Sequence, residues 1–189
     1  MPTPAKTSRS ELIAIARRLV DTCGADAVTV SAVASAAGVK APSIYKHFVD
    51  RAALLKAVEL EVLHDLETTL RREIKGRTAR ARLGSMAETY RAFALAAPRR
   101  YAMIYGEHAL EDPEIAAACL SAAGPLFDEL RAAGVPEGDV LPISRTITAW
   151  LHGFCTMEIA RAFRLGGSID DAFETGLSLI LGEATRVRG

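Results

Sequence analysis

Little in this sequence points to strands, crosslinks or a membrane. Runs of β-branched residues are scarce, aromatic side chains make up 6 %, and Gly and Pro are thinly spread among many alanines. That composition argues against a sheet and for an all-helical chain. The three cysteines, Cys23, Cys119 and Cys155, are odd in number, far apart and without a histidine at ligand spacing. The pattern indicates neither a disulfide framework nor a zinc site, and the thiols are expected to be reduced and partly buried. No metal or other cofactor is implied. The stretch MPTPAKTSRSE has no apolar signal-peptide core, and no apolar run approaches the ~18–20 residues that span a bilayer. A soluble cytoplasmic protein with no membrane partner is the expectation.

Net charge is also missing, since 23 basic residues balance 23 acidic ones. The average hides an asymmetry. Residues 1–56 hold eight basic side chains against four acidic, a net +4, which leaves 15 against 19, or −4, for the remainder. A basic front on an acidic body suggests that only the front end meets a polyanion. The length of 189 residues suits one large domain or two small ones sharing a core.

Periodicity and punctuation then divide the chain. Residues 1–8 read as a polar arm. A first helix starts near Ser8 or Ser10, either able to accept from free N–H groups of the first turn, and buries Leu12, Ala16, Leu19, Val20 and Cys23 before Gly24 stops it. Thr29 is an N-cap for a short second helix whose Val30, Val33, Ala34 and Ala37 face inward. Gly38 ends it in a left-handed conformation, and Pro42 suits the first position of a third helix. Two short helices joined by about four residues form a helix-turn-helix. Asp50 caps a long fourth helix with a seam of Leu55, Val58, Val62, Leu66, Leu70 and Ile74, ending at Gly76. Further helices are predicted over 78–97, 99–106, 112–133, 139–165 and from Ser168 to about Arg186, with Gly166-Gly167 as the last break. The boundary between a DNA-facing domain, 1–56, and a body, 57–189, falls inside the fourth helix.

Stepping 100° per residue around a seven-residue third helix puts Ile44 and Phe48 on one side. Pro42, Ser43 and Lys46 lie opposite, with Tyr45 and His47 on the flanks. So short a helix is unstable alone, so the two apolar anchors must dock it. The outer side is then free for the major groove of DNA. Tyr45, Lys46 and His47 suit phosphate contacts, and Ser43 allows close backbone approach. Thr29 and Arg51, at the starts of the second and fourth helices, can each grip a phosphate.

The stretch Thr29-x-x-x-Val33-Ala34, the turn Ala37-Gly38-Val39 and the ending Ile44-Tyr45-Lys46-His47-Phe48 resemble the DNA-binding signature of the TetR family of bacterial transcriptional regulators. The resemblance covers residues 8–56. Two positions depart from it: Lys40 stands where Ser is frequent, and Ala52 where an acidic residue often follows. Lys40, with Ala41 and Pro42 beside it, thereby joins the candidate DNA contacts.

The resemblance implies a nine-helix, Ω-shaped homodimer that represses a palindromic operator in double-stranded DNA and leaves it when a small apolar effector binds. Its last two helices would pair with those of a second copy. The residues agree, because Ile143, Ile147, Trp150, Leu151 and Phe154, with Ile169, Phe173, Leu177, Ile180 and Leu181, offer more apolar surface than one partner helix covers. Gly153 and Gly176 would permit close approach. The implied effector cavity, among helices four to eight, would draw on Tyr90, Phe93, Met103, Tyr105, His108, Trp150, Phe154 and Met157. Trp150-Leu151-His152-Gly153 also resembles the Trp-x-His-Gly motif of one C-terminal subgroup, in which Trp150 and His152 either touch ligand or only pack the core.

Two other classes compete, a helical enzyme and an interaction scaffold, each with a coincidental helix-turn-helix. An enzyme needs converging titratable groups, yet His108 and His152 are joined by no motif to a nucleophile or metal. Glu158 and Arg161 have the spacing of a surface helical ion pair. No catalytic residue is expected.

Overall fold

The computed structural model describes residues 7–105 and 112–184. Residues 1–6 of the expected arm, Glu107, His108 and the expected helix end at Arg186 lie outside them. Among the described residues the chain is all-α, with nine α-helices and no strand. They are α1 Arg9–Cys23, α2 Val30–Ala36, α3 Ala41–Ile44, α4 Arg51–Glu73, α5 Ala79–Ala96, α6 Pro98–Tyr101, α7 Pro113–Ala132, α8 Glu137–Ile159 and α9 Ile169–Ala184. Single 3-10 turns cover Ala25–Ala27 and Ala102–Tyr105.

Polar side chains set where the helices start. Ser8 and Glu11 form a reciprocal capping box on α1, Ser8 Oγ accepting from the Glu11 N–H at 3.2 Å and the Glu11 carboxylate accepting from the Ser8 N–H at 2.8 Å. Asp50 Oδ1 accepts from the Ala53 N–H at 2.8 Å, Asp112 from the Glu114 N–H at 2.9 Å and Ser168 from the Asp171 N–H at 3.1 Å. Each such cap contributes about 1 kcal/mol.

The chain forms two compact units. The first, here the head, comprises residues 1–63 and 97–118. Leu12, Val20, Val33, Ile44, Leu54 and Ile115 are its fully buried apolar side chains of largest consequence. Burying each contributes about 1.5–3 kcal/mol. The segment from 97 onward is tied to the head by cations. Arg99 donates to the carbonyls of Asp21 and Thr22 at the end of α1, satisfying groups the helix leaves open, and Arg100 Nε meets Asp21 Oδ1 at 2.5 Å. Lys56 on α4 binds Asp112 at 2.7 Å and Glu114 at 2.8 Å. Those two carboxylates raise the Lys56 pKa, Asp112 most strongly.

The second unit, the body, comprises 64–96 and 119–189. There α5 packs on α8 and α9, and α8 on α9, burying Leu83, Met86, Ile147, Leu151, Phe173 and Leu181. Gly176 is required by close approach, because a Cβ there would stand 2.6 Å from Trp150 Cζ2.

Several expectations need correction. α3 is one turn of four residues, Ala41–Ile44, rather than seven. The chain continues beyond it in turns, with the Phe48 N–H still donating to the Ile44 carbonyl at 3.0 Å, so Phe48 is buried without regular helix. The seam of α4 begins at Leu54, wholly buried, while Leu55 is only half-buried. α8 ends at Ile159, ahead of Gly166-Gly167, because Arg161 adopts a left-handed φ of 53°. There the Ala162 N–H donates to the Met157 carbonyl, and the chain turns back to lay Phe163 on Phe154, their centroids 4.9 Å apart. Glu158 consequently pairs with Arg91 instead of Arg161. The described part of the expected helix 99–106, residues 99–105, is split between α6 and a 3-10 turn, and Cys23 is exposed, unlike half-buried Cys119 and buried Cys155.

Candidate nucleic-acid interface

The head presents α3 by a short series of local choices. Thr29 caps α2, its Oγ1 accepting from the Ala32 N–H at 3.0 Å. That leaves the Thr29 hydroxyl hydrogen available to an outside acceptor. Gly38, at φ 67°, turns the chain where a Cβ would be strained, and Val39 N–H returns to the Ala34 carbonyl at 3.0 Å. Lys40 is extended, with φ −87° and ψ 149°, as the N-cap residue of α3. Pro42 then lies in the first turn of α3.

Ile44 is fully buried and Phe48 is 3 % exposed. Everything else in the segment faces outward to some degree. Lys40, Pro42, Tyr45 and Lys46 are exposed, Tyr45 at 56 %, and Ala41, Ser43 and His47 are half-buried. An exposed tyrosine beside an exposed lysine, on a segment pinned by two apolar anchors, offers hydrogen-bond donors at fixed spacing to an anionic surface.

Arg51 has work inside the head as well. Its Nε donates to the Val28 carbonyl at 2.6 Å and Nη2 to the Ala25 carbonyl at 2.7 Å, and Asp26 lies 3.9 Å away. It thereby holds the α1–α2 connection against the start of α4. The remaining N–H groups of its fork stay available. Neither this role nor that of Arg99 could be read from spacing, because the partners are carbonyls more than 20 residues away.

The candidate effector residues fall in both units. Met103, half-buried, and Tyr105, 42 % exposed, belong to the head. Tyr101 and Tyr105 contact edge to face at 5.8 Å. Tyr90, Phe93, Trp150, Phe154 and Met157 belong to the body. Tyr90 is buried, Phe93 half-buried and Met157 45 % exposed. Trp150 stacks on Phe173 at 5.3 Å, and Phe154 meets Phe173 at 5.2 Å. These rings therefore pack on one another. His152, on the same helix, has its pKa lowered by burial.

Arg91 organises this cluster, a role that no spacing in the sequence indicates. Its guanidinium donates to both Glu158 oxygens at 2.6 and 2.7 Å, reaches Asp170 at 2.7 Å, and lies 4.8 Å from the Phe173 centroid. The Glu158 carboxylate raises its pKa further, against the opposing effect of burial. Elsewhere in the body, a groove of about 320 Å³ is lined by Thr78, Arg80, Ala81, Gly84, Leu177, Ser178 and Leu181. None of the expected effector residues lines it. Among the described residues no group of three His, Cys, Asp or Glu could hold a metal, and no helix is long and apolar enough to cross a membrane.

Comparison with known proteins agrees with this arrangement. Residues 12–58 match the profile of the bacterial regulatory proteins of the tetR family. Residues 83–180 match that of the tetracyclin repressor-like C-terminal domain. An uncharacterised HTH-type transcriptional regulator of Mycobacterium tuberculosis is 33 % identical over 160 residues, covering 82 % of this chain and 72 % of that protein. The structure of a protein of unknown function from Rhodococcus sp. RHA1 is similar with a TM-score of 0.84 at 26 % identity, over 96 % of this chain and 98 % of the other. A TetR variant from Acinetobacter baumannii, in complex with minocycline, has the same fold, with a TM-score of 0.71 at 22 % identity over 97 % and 99 % of the two chains. With a pinned recognition segment in the head and both halves matched, this chain belongs to the TetR family of bacterial transcriptional regulators.

Proposed function

We propose that the protein is a transcriptional repressor that binds a palindromic operator as a homodimer and is released by a small, mostly apolar effector. The observation that carries the DNA-binding part is the segment Lys40–Phe48. Two buried anchors hold it while Lys40, Pro42, Tyr45 and Lys46 face solvent. Lys46, Tyr45, His47 and Thr29 contact phosphates, as does Arg51 with the donors it has left, while Ala41, Pro42 and Ser43 lie against base edges. DNA binding is assigned to residues 1–56, and effector binding and dimerisation to 57–189.

Dimerisation is supported by the outer faces of α8 and α9. Leu141, Met157 and Leu179 are exposed there, and a Cβ at Gly153 would meet no atom of the described residues within 4 Å. Two heads roughly 34–36 Å apart would read successive major grooves on one face of the duplex. The Trp-x-His-Gly affiliation belongs to the same reading, supported by Trp150 seated against Gly176. An effector is supported by the fold shared with the minocycline-bound protein. α4 runs through both units, so an effector that tilts it moves the head. A coupling of about 1–3 kcal/mol would weaken operator binding roughly 5–150-fold.

A gel shift with DNA from upstream of the protein's own gene tests this. The wild type is expected to shift a fragment, Tyr45→Phe to weaken the shift, and Ser43→Ala to change which sequence is preferred. A screen of melting temperature against small molecules finds the effector, since a ligand of the folded state raises it. If no compound that raises the melting temperature changes operator affinity, the release mechanism is wrong although DNA binding stands.

A further inference from the structure

The head's basic residues divide into two sets. Arg17, Arg51, Lys56, Arg99 and Arg100 have internal partners. Arg9, Arg18, Lys40 and Lys46 are exposed and have no carboxylate partner among the described residues. Lys40 and Lys46 belong to the recognition segment, whereas Arg9 lies more than 30 residues earlier, outside the helix-turn-helix. It nevertheless meets that segment. Its guanidinium carbon lies 5.1 Å from the centroid of the Phe48 ring, within the range of a cation–π contact.

Two features show that Arg9 is not there for the helix. It occupies the first residue of α1, where the positive end of the helix dipole disfavours a cation. That end is already served by the capping box of Ser8 with Glu11, so the nearby carboxylate is engaged with the Ser8 N–H and not with Arg9. What the position does supply is a brace. Phe48 closes the recognition segment and is almost wholly buried, so its ring is a fixed surface. A guanidinium lying on a ring keeps its N–H edges in its own plane, where they can meet an acceptor.

We propose that Arg9 is a further DNA-contacting residue, laid on Phe48 so that its N–H edge binds a backbone phosphate beside the groove entered by α3. This rests on the DNA-binding reading above. The ring limits the conformations of a long side chain before DNA arrives, which reduces the ordering cost of the contact. Arginine suits the task because its planar fork can stack on the ring and still offer two parallel N–H groups to a phosphate, whereas a lysine ammonium binds phosphate only as a point charge. Arg18 serves as a control, since nine steps of 100° place it on the opposite side of α1 and roughly 13 Å along it.

The test uses the full chain and a duplex selected from genomic fragments by the wild-type protein, with affinity followed by fluorescence anisotropy at several salt concentrations. Arg9→Ala is expected to weaken binding about tenfold and to flatten the salt dependence by about one counterion per head. Its melting temperature should remain near that of wild type. Arg9→Lys should recover most of the salt slope but only part of the affinity, and Arg18→Ala should change neither. In a Phe48→Leu background, Arg9→Ala should cost less than in wild type.

Unchanged affinity and slope in Arg9→Ala, with both reduced in Lys46→Ala, overturns the proposal and leaves the DNA-binding reading intact. So does a loss of affinity that tracks a lowered melting temperature, which makes Arg9 structural. An equal cost with and without the Phe48 ring overturns the brace. If the wild type selects no duplex, the DNA-binding reading and this proposal fall together.

Discussion

The head and the body each hold paired and unpaired cations, and what differs is where the unpaired ones stand: in the head, Lys40 and Lys46 lie on the recognition segment itself. In the body, Arg71, Arg82, Arg91 and Arg131 each reach a carboxylate, at 3.0, 2.6, 2.6 and 2.7 Å. Each joins one helix to another, Arg131 doing so across the short turn between α7 and α8. In the head, Arg9, Arg18, Lys40 and Lys46 are left exposed without such partners among the described residues. A paired cation fixes packing, and an unpaired one on a rigid support is available to an external anion. The zero net charge of the whole chain thus says nothing about binding. Where each charge finds its partner decides it.

The body's side of this contrast breaks most sharply at Arg91. The guanidinium and the Glu158 carboxylate are only 16 % and 15 % exposed, so removing Arg91 leaves the Glu158 carboxylate largely buried without its cation. Arg91→Ala should lose about 3–5 kcal/mol in a denaturant titration, and pairing it with Glu158→Leu should recover much of that loss. A loss below about 1 kcal/mol would make the pair no different from a surface bridge. On the head's side, Ile44→Ala should cost about 2–5 kcal/mol and abolish the gel shift, because the recognition turn loses its anchor.

Two glycines sharpen the comparison inside the body. Gly176→Ala should destabilise by about 1–3 kcal/mol through collision with Trp150. Gly153→Ala meets nothing among the described residues and should add up to about 1 kcal/mol of helix stability in a monomer. If Gly153 instead lies between two copies, the same change should weaken dimerisation, read by sedimentation against concentration. A dimer indifferent to Gly153→Ala would exclude that position from the interface.

The head was more legible in the sequence than the body, for a physical reason. Its elements are specified locally: Ser8, Thr29 and Asp50 cap the helices whose starts they mark. Gly38 takes the left-handed turn, and Ile44 and Phe48 are buried as their spacing required. What failed was local too, since α3 has one regular turn and Phe48 reaches the core through turns beyond it. In the body, periodicity located the helices but not their ends. Periodicity extends α8 to 165, because nothing near Arg161 reveals a left-handed residue; the turn serves Phe163, which packs on Phe154. Arg91 and Glu158 are 67 residues apart, and no spacing rule connects them. The expected effector residues were the least legible, because an aromatic at helical spacing reads the same whether it lines a cavity or packs a core; Trp150 and Phe154 both contact Phe173.

The central claim is that exposed head cations, and not body cations, meet DNA. The direct measurement is operator affinity against salt concentration for wild type, Lys46→Ala and Arg77→Ala, the last an exposed arginine of the body. Lys46→Ala should weaken binding to every duplex tested and reduce the salt slope by about one per head, with Arg77→Ala superimposed on wild type. Equal slopes for all three, or a loss confined to Arg77→Ala, would contradict the account.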